Sequence, residues 1–206
     1  MRTVDPAQHA RKRARILHAA AEEFAAHGVD GTSTAAVCRR AGIGSGTLFH
    51  YFATKRDLFH AVFADDVPRN AAACDRALAA GRPGDGLDGL VDHLLADLPD
   101  PLVPGLLAAA LLQANRDEEF ARMVAADEAR IRATLVTLAE RLADEGRPLA
   151  FPPARVAGWI QRMVDSSYLS AGEDGFDAVE HAAELRRIID WLTGRTPAPA
   201  REEGHM

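Results

Sequence analysis

Residues 28–58 read GVDGTSTAAVCRRAGIGSGTLFHYFATKRDL. Two short segments, 34–41 and 45–52, are separated by Gly42-Ile43-Gly44, the spacing of a helix-turn-helix. Ala36, Val37, Ala41, Ile43, Leu48 and Phe52 supply a small apolar core for the pair, and the small residues at 36, 38 and 41 let the two helices cross closely. Ser33 or Thr34 is the expected N-cap of the first segment, because a hydroxyl there accepts from an orphan N–H. The second segment opens with Ser45, Gly46 and Thr47, whose short side chains allow the backbone to lie deep in a DNA major groove with its first N–H groups near phosphates.

Working outward, residues 7–26 read as an amphipathic helix with Ile16, Leu17, Ala20 and Phe24 on one face. Gly28 is its expected left-handed terminator. Downstream, breakers set off helical segments at 55–80 (bent near Pro68), 87–98, 105–113, 118–145, 156–169 and 176–192. Phe120, Met123, Val124, Ile131, Leu135, Leu138 and Leu142 form the stripe of the longest one. Alanine makes up about a fifth of the 206 residues and β-branched and aromatic types are scarce. The fold class expected is therefore all-α, with about nine helices.

The net charge of −6 conceals an asymmetry. Residues 1–56 carry nine Lys and Arg against four Asp and Glu, a net of +5; the other 150 residues carry 15 against 26, a net of −11. A basic head on an acidic body is an electrostatic footprint for nucleic acid. The cluster Arg11-Lys12-Arg13-Arg15 could track a phosphate backbone, and an arm carrying Arg2 could reach a minor groove; a plain solvated face is the other reading of that cluster. Cys38 and Cys74 cannot make a disulfide framework and suit a reducing cytosol, with Cys38 expected as a small buried residue. No apolar run reaches a membrane span, and no secretory signal is visible at the N-terminus. The histidines do not cluster at ligand spacing, so no metal and no other cofactor is expected. The GIGSG segment follows no strand and lacks the Lys-Ser/Thr of a phosphate loop, and Asp165-Ser166-Ser167-Tyr168 lacks a nucleophile elbow, so no catalytic residues are assigned.

The block Gly42-Ile43-Gly44-Ser45-Gly46-Thr47-Leu48-Phe49-His50-Tyr51-Phe52, followed by Lys55, resembles the TetR family of bacterial transcriptional repressors across residues 10–63. The resemblance implies a three-helix DNA-binding domain (1–56), a larger helical effector-binding and dimerisation domain (57–193) and a disordered tail (194–206). It implies that Thr34, Tyr51 and Lys55 grip phosphates, while Ser45, Gly46, Thr47, Phe49 and His50 face base edges. Thr47 can contact a thymine methyl or donate a hydrogen bond, and His50 can bond a guanine N7 or a phosphate. Two departures from the family pattern shift weight toward phosphates and DNA shape: Phe49 stands where Tyr is common, and Ala35 where some members carry a base-reading arginine.

Reading an operator with two such units, one helical turn apart, requires a two-fold homodimer. The resemblance places the dimer face on the last two helices, where Val156, Ile160, Val164, Leu185, Ile188, Ile189 and Leu192 form apolar stripes. The chain's own core is the other use of those stripes. A pocket for an unidentified, hydrophobic small-molecule effector is expected among the middle helices, lined by Leu94, Leu107, Leu111, Gln113, Asn115, Phe120, Met123, Trp159, Met163, Ser167 and Tyr168. The function expected is a cytoplasmic, ligand-responsive repressor that binds a palindromic operator on double-stranded DNA as a dimer and is released by its effector. The alternatives are a DNA-binding regulator without an effector and a small all-α ligand carrier or enzyme.

Overall fold

The computed structural model describes residues 6–196, and among these it contains ten helices and no strand. They are α1 (Pro6–Gly31), α2 (Thr34–Ala41), α3 (Ser45–Tyr51), α4 (Lys55–Ala64), α5 (Val67–Ala79), α6 (Pro83–Leu95), α7 (Val103–Ala114), α8 (Glu118–Asp144), α9 (Pro153–Ser170) and α10 (Ala178–Leu192). The expected helix over 55–80 is two helices. It breaks at Asp65-Asp66, and Pro68 sits in the first turn of α5, where its missing N–H leaves no bond unmade. Arg2 lies outside the described residues, as does the expected tail from residue 197. Residues 194–196 are a hydrogen-bonded turn, in which Arg195 pairs with Asp88 at 2.6 Å and Asp190 at 2.9 Å.

The helix-turn-helix forms for local reasons. Gly28 adopts φ 65°, ψ −179° and kinks α1, and the buried Thr32 hydroxyl then donates across the kink to the Glu23 and Gly28 carbonyls. Ser33 is the N-cap of α2 and accepts from the Ala36 N–H at 3.1 Å. Gly42, at φ 62°, closes α2 with the N–H of Ile43 bonded to the Cys38 carbonyl, the bond that satisfies a helix's last acceptors. Thr54 and Asp57 form a capping box at the start of α4.

The buried side chains form two cores. The first joins Ile16, Leu17, Ala20 and Phe24 of α1 to Val37, Cys38, Ala41, Leu48 and Phe52 of the motif and to Leu58 and Phe59 of α4. It continues into Ala109 of α7 and Phe120 of α8. Phe24 and Phe59 pack edge-on at 5.0 Å between centroids, and Phe120 lies 5.1 Å from Phe59 and 5.2 Å from Phe63. The second core is built from α5, α6, α8, α9 and α10. The head and body are thus seamed by one aromatic cluster; truncating such a buried Phe typically costs about 3–5 kcal/mol. A second seam is α1 against α7. A Cβ at Gly105 would lie 2.3 Å from the Ala25 carbonyl oxygen, so the close crossing depends on glycine.

Candidate functional site

The motif presents α3 to solvent. Ser45, Gly46 and His50 are exposed, Phe49 is 49% exposed, and Thr47 is half-buried beside the inward-facing Leu48. A phenyl ring held out on a helix seven residues long serves no core, so Ser45, Gly46, Thr47, Phe49 and His50 share one reachable surface. Thr34 stands half-buried at the first position of α2.

The other expected phosphate contacts have intramolecular partners. The Lys55 ammonium donates to the Val29 carbonyl at 2.6 Å and the Thr32 carbonyl at 2.8 Å, tying α4 to the turn between α1 and α2. The Tyr51 ring stacks on His9 at 4.5 Å, and its hydroxyl donates to the His9 carbonyl at 3.4 Å. Arg13 pairs with Asp65 at 2.6 Å and lies over the Phe52 ring. Arg40 is held between Glu22 and Glu23, whose carboxylates hold its pKa above the ordinary arginine value. Arg11, Lys12, Arg15 and Arg39 have no ion-pair partner among the described residues, and they are the basic groups left to meet an anion.

Arg56 is committed elsewhere. Its guanidinium clamps Asp117, the N-cap of α8, through Nε at 2.6 Å and Nη2 at 2.7 Å, and reaches Glu119 at 2.9 Å. Asp117 also meets the His60 Nε2 at 2.7 Å and accepts from Gln113 and the Phe120 N–H. With the Arg56 bonds the largest cause, its carboxyl is held far below the usual carboxylate range.

A cavity of about 530 Å³ lies in the body, between the end of α4 and helices α5 to α9. Leu94, Leu107, Leu111 and Tyr168 of the expected pocket line it. The others lie apart. Phe120 is fully buried in the aromatic seam and Met123 packs on that seam, because α8 turns this part of its stripe toward α4. Gln113 binds Asp117, and Asn115 donates to the Leu111 carbonyl. Ser167 is buried, donating to the Met163 carbonyl and meeting the His181 Nε2 at 2.9 Å. Trp159 and Met163 border a second groove of about 340 Å³ between α9 and α10. The first cavity also gains a polar wall that apolar periodicity gave no sign of: Asp66, Arg69, Asn70, His93, Asp97, Glu128 and Asp165. Polar residues spaced along otherwise amphipathic helices read as solvated faces until the helices are assembled.

The expected dimer stripes are corrected as well. Val156, Ile160, Val164, Leu185, Ile189 and Leu192 are all buried in the chain's own core, since α9 and α10 direct those faces against the rest of the body. Ile188 is 45% exposed and lies beside Trp159, 44% exposed, in the groove between α9 and α10.

The ten helices of the described residues, with an exposed motif helix on the head and a cavity in the body, resemble the architecture of helix-turn-helix regulators. The profile of the family described as "Bacterial regulatory proteins, tetR family" matches residues 16–62. The HTH-type transcriptional regulator UidR of Escherichia coli K12 is 36% identical over 87 residues; the match takes in 42% of this chain and spans 40% of that relative's length. The HTH-type transcriptional repressor SCO4008 of Streptomyces coelicolor is 28% identical over 194 residues, covering 86% of this chain and 95% of the repressor. A TetR transcription regulator from Haloarcula marismortui superposes with a TM-score of 0.74 over 90% of this chain and 98% of its own, at 18% identity, which speaks to fold. The tetR family of regulatory proteins is thus matched by the head over residues 16–62, and the fold of the chain is that of solved TetR-family regulators. No helix among the described residues is long and apolar enough to cross a membrane.

Proposed function

We propose that the chain is a cytoplasmic homodimeric repressor that reads a palindromic operator on double-stranded DNA through α3 and leaves it when a small molecule fills the body cavity. The observation that carries this reading is the cavity's position. It is walled by α7, the same helix whose Gly105 packs against α1 of the head. A ligand that binds one placement of α7 better than another shifts the heads only by that difference in affinity. In this reading residues 1–56 form the DNA-binding domain and 57–193 the effector and dimer domain. Ser45, Gly46, Thr47, Phe49 and His50 face bases, while Arg11, Arg15 and the start of α2 at Thr34 meet phosphates. The partner copy seats on the surface around Trp159 and Ile188.

The test is retention of genomic fragments by the purified chain at low salt, followed by anisotropy on the recovered sequence. A site with two-fold symmetry, bound at least about 10³ times tighter than random DNA, supports the reading. Retention with no sequence preference overturns it.

A further inference from the structure

The wall of the body cavity carries an excess of negative charge. Four carboxylates line it (Asp66, Asp97, Glu128 and Asp165) against one guanidinium, Arg69. That guanidinium is already divided between Asp66 at 2.9 Å and Asp97 at 3.9 Å. Glu128 of α8 and Asp165 of α9 have no side-chain hydrogen bond and no ion pair among the described residues. Burial first, and the Glu128 charge second, push the Asp165 carboxyl up to about 6, with Arg132 opposing. In the same wall, Asn70 spends its amide N–H on Asp127 Oδ2 at 2.6 Å and accepts from the His93 Nε2 at 2.9 Å. The other oxygen of Asp127 is buried with no partner. Burial and the neighbouring Arg69 hold His93 below the ordinary histidine value, so it adds little positive charge. The same cavity has an apolar surface, to which Leu94, Leu107 and Tyr168 contribute.

We propose that the cavity takes an amphipathic organic cation, its apolar body against Leu94, Leu107 and Tyr168 and its protonated amine or quaternary nitrogen between Glu128 and Asp165. The inference rests on the reading of this cavity as the effector site and adds the class of ligand. An anion would meet four carboxylates and a neutral chain would gain nothing from them; a cation relieves the repulsion between Glu128 and Asp165. The volume of about 530 Å³ lies within the range usual for small-molecule sites.

Calorimetric titration of the full chain with three probes sharing one eight-carbon body tests this: octylammonium, octan-1-ol and octanoate. Octylammonium is expected to bind at least about tenfold tighter than the alcohol, with octanoate weakest. Glu128→Gln with Asp165→Asn should bring octylammonium down to the affinity of the alcohol while leaving the alcohol unchanged. Leu107→Trp, which fills the cavity, should abolish binding of all three. Equal or tighter binding of octan-1-ol or octanoate overturns the cation assignment and leaves the effector site standing. An ammonium preference that survives the double substitution overturns the assignment to Glu128 and Asp165. No binding of any probe, or binding that survives Leu107→Trp, overturns the cavity as the effector site and the cation with it.

Discussion

The guanidinium of Arg56 and the carboxylate of Asp117 form a two-bond clamp, 2.6 and 2.7 Å long, between the first turn of α4 and the N-cap of α8. Arg56 directly follows Lys55, which holds the turn before α2, and Asp117 directly precedes the helix that carries Phe120 into the aromatic seam. The clamp therefore joins the head to the body at the same level as the shared core, and it explains why an acidic residue 97% inaccessible as a side chain is stable there.

Asp117→Ala removes both the clamp and the N-cap of α8. The cap alone is worth about 1 kcal/mol, so the melting temperature is expected to fall by at least about 2–4 °C. Asp117→Asn keeps the capping oxygen and loses the charge, and its drop should be smaller. The pH dependence follows from the sign of the shift. A carboxyl whose pKa is depressed in the folded chain contributes stability that is complete above the ordinary Asp value of about 3.9 and is lost only as pH falls toward the folded value. The difference between the parent and Asp117→Asn should thus shrink as the buffer falls below about pH 3.9, as thermal melts in acid will record.

Lys55 and Arg15 separate a structural cation from a free one. Lys55→Ala strips a charged donor from two carbonyls and is expected to destabilise the head by about 1–3 kcal/mol, visible as lost thermal stability without any DNA present. Arg15→Ala breaks no ion pair among the described residues. It should leave the melt unchanged and lower the slope of log affinity against log salt by about 0.9 if it neutralises one phosphate. A salt slope that falls for Lys55→Ala with no change in the melt would instead assign Lys55 to the phosphates.

Phe49 is 49% exposed, so about half of its surface is left to meet DNA. Phe49→Ala is expected to change the melting temperature by less than about 2 °C while weakening DNA binding at least about tenfold, since an apolar contact with a base is worth on the order of 1–3 kcal/mol. Thr47→Ala should change which bases are preferred. Equal loss on specific and random DNA for Thr47→Ala would remove Thr47 from the base-reading set.

What could be read from the sequence followed from where the information is local. The motif, its Gly42 turn and the helical stripes are set by neighbours within a few positions and form as expected, whereas Gly28 kinks α1 rather than ending it. Two features depended on assembly. Val156, Ile160 and Leu185 are apolar at helical spacing whether they face their own core or a partner, so the stripe alone could not assign them. The acidic wall was hidden because Asp66, Asp97, Glu128 and Asp165 come from separate segments spread over about 100 residues, and each one alone looks like a solvated surface position. Likewise Lys55 looked free because its acceptors are backbone carbonyls, which leave no trace in the residue types.

Gly105 offers the sharpest test of how head and body communicate. In α7 it faces Ala25 of α1, and a Cβ there would meet the carbonyl oxygen at 2.3 Å, the carbonyl carbon at 2.8 Å and the Cα at 3.0 Å. All three are backbone atoms, so no side chain can rotate away and the helices themselves must separate. Gly105→Ala is expected to destabilise by about 1–3 kcal/mol through overpacking, despite alanine's better helix propensity. Gly89→Ala is the matched control: it lies exposed in α6 with nothing within 4 Å of its would-be Cβ, and should raise stability by about 0.5–1 kcal/mol. If α7 relays cavity occupancy to the heads, Gly105→Ala should also change operator affinity in the absence of ligand, whereas Gly89→Ala should not. An operator affinity equal to the parent's in a Gly105→Ala chain with a lowered melting temperature would confine this contact to stability and move the relay elsewhere, with the Arg56–Asp117 clamp the next seam to test.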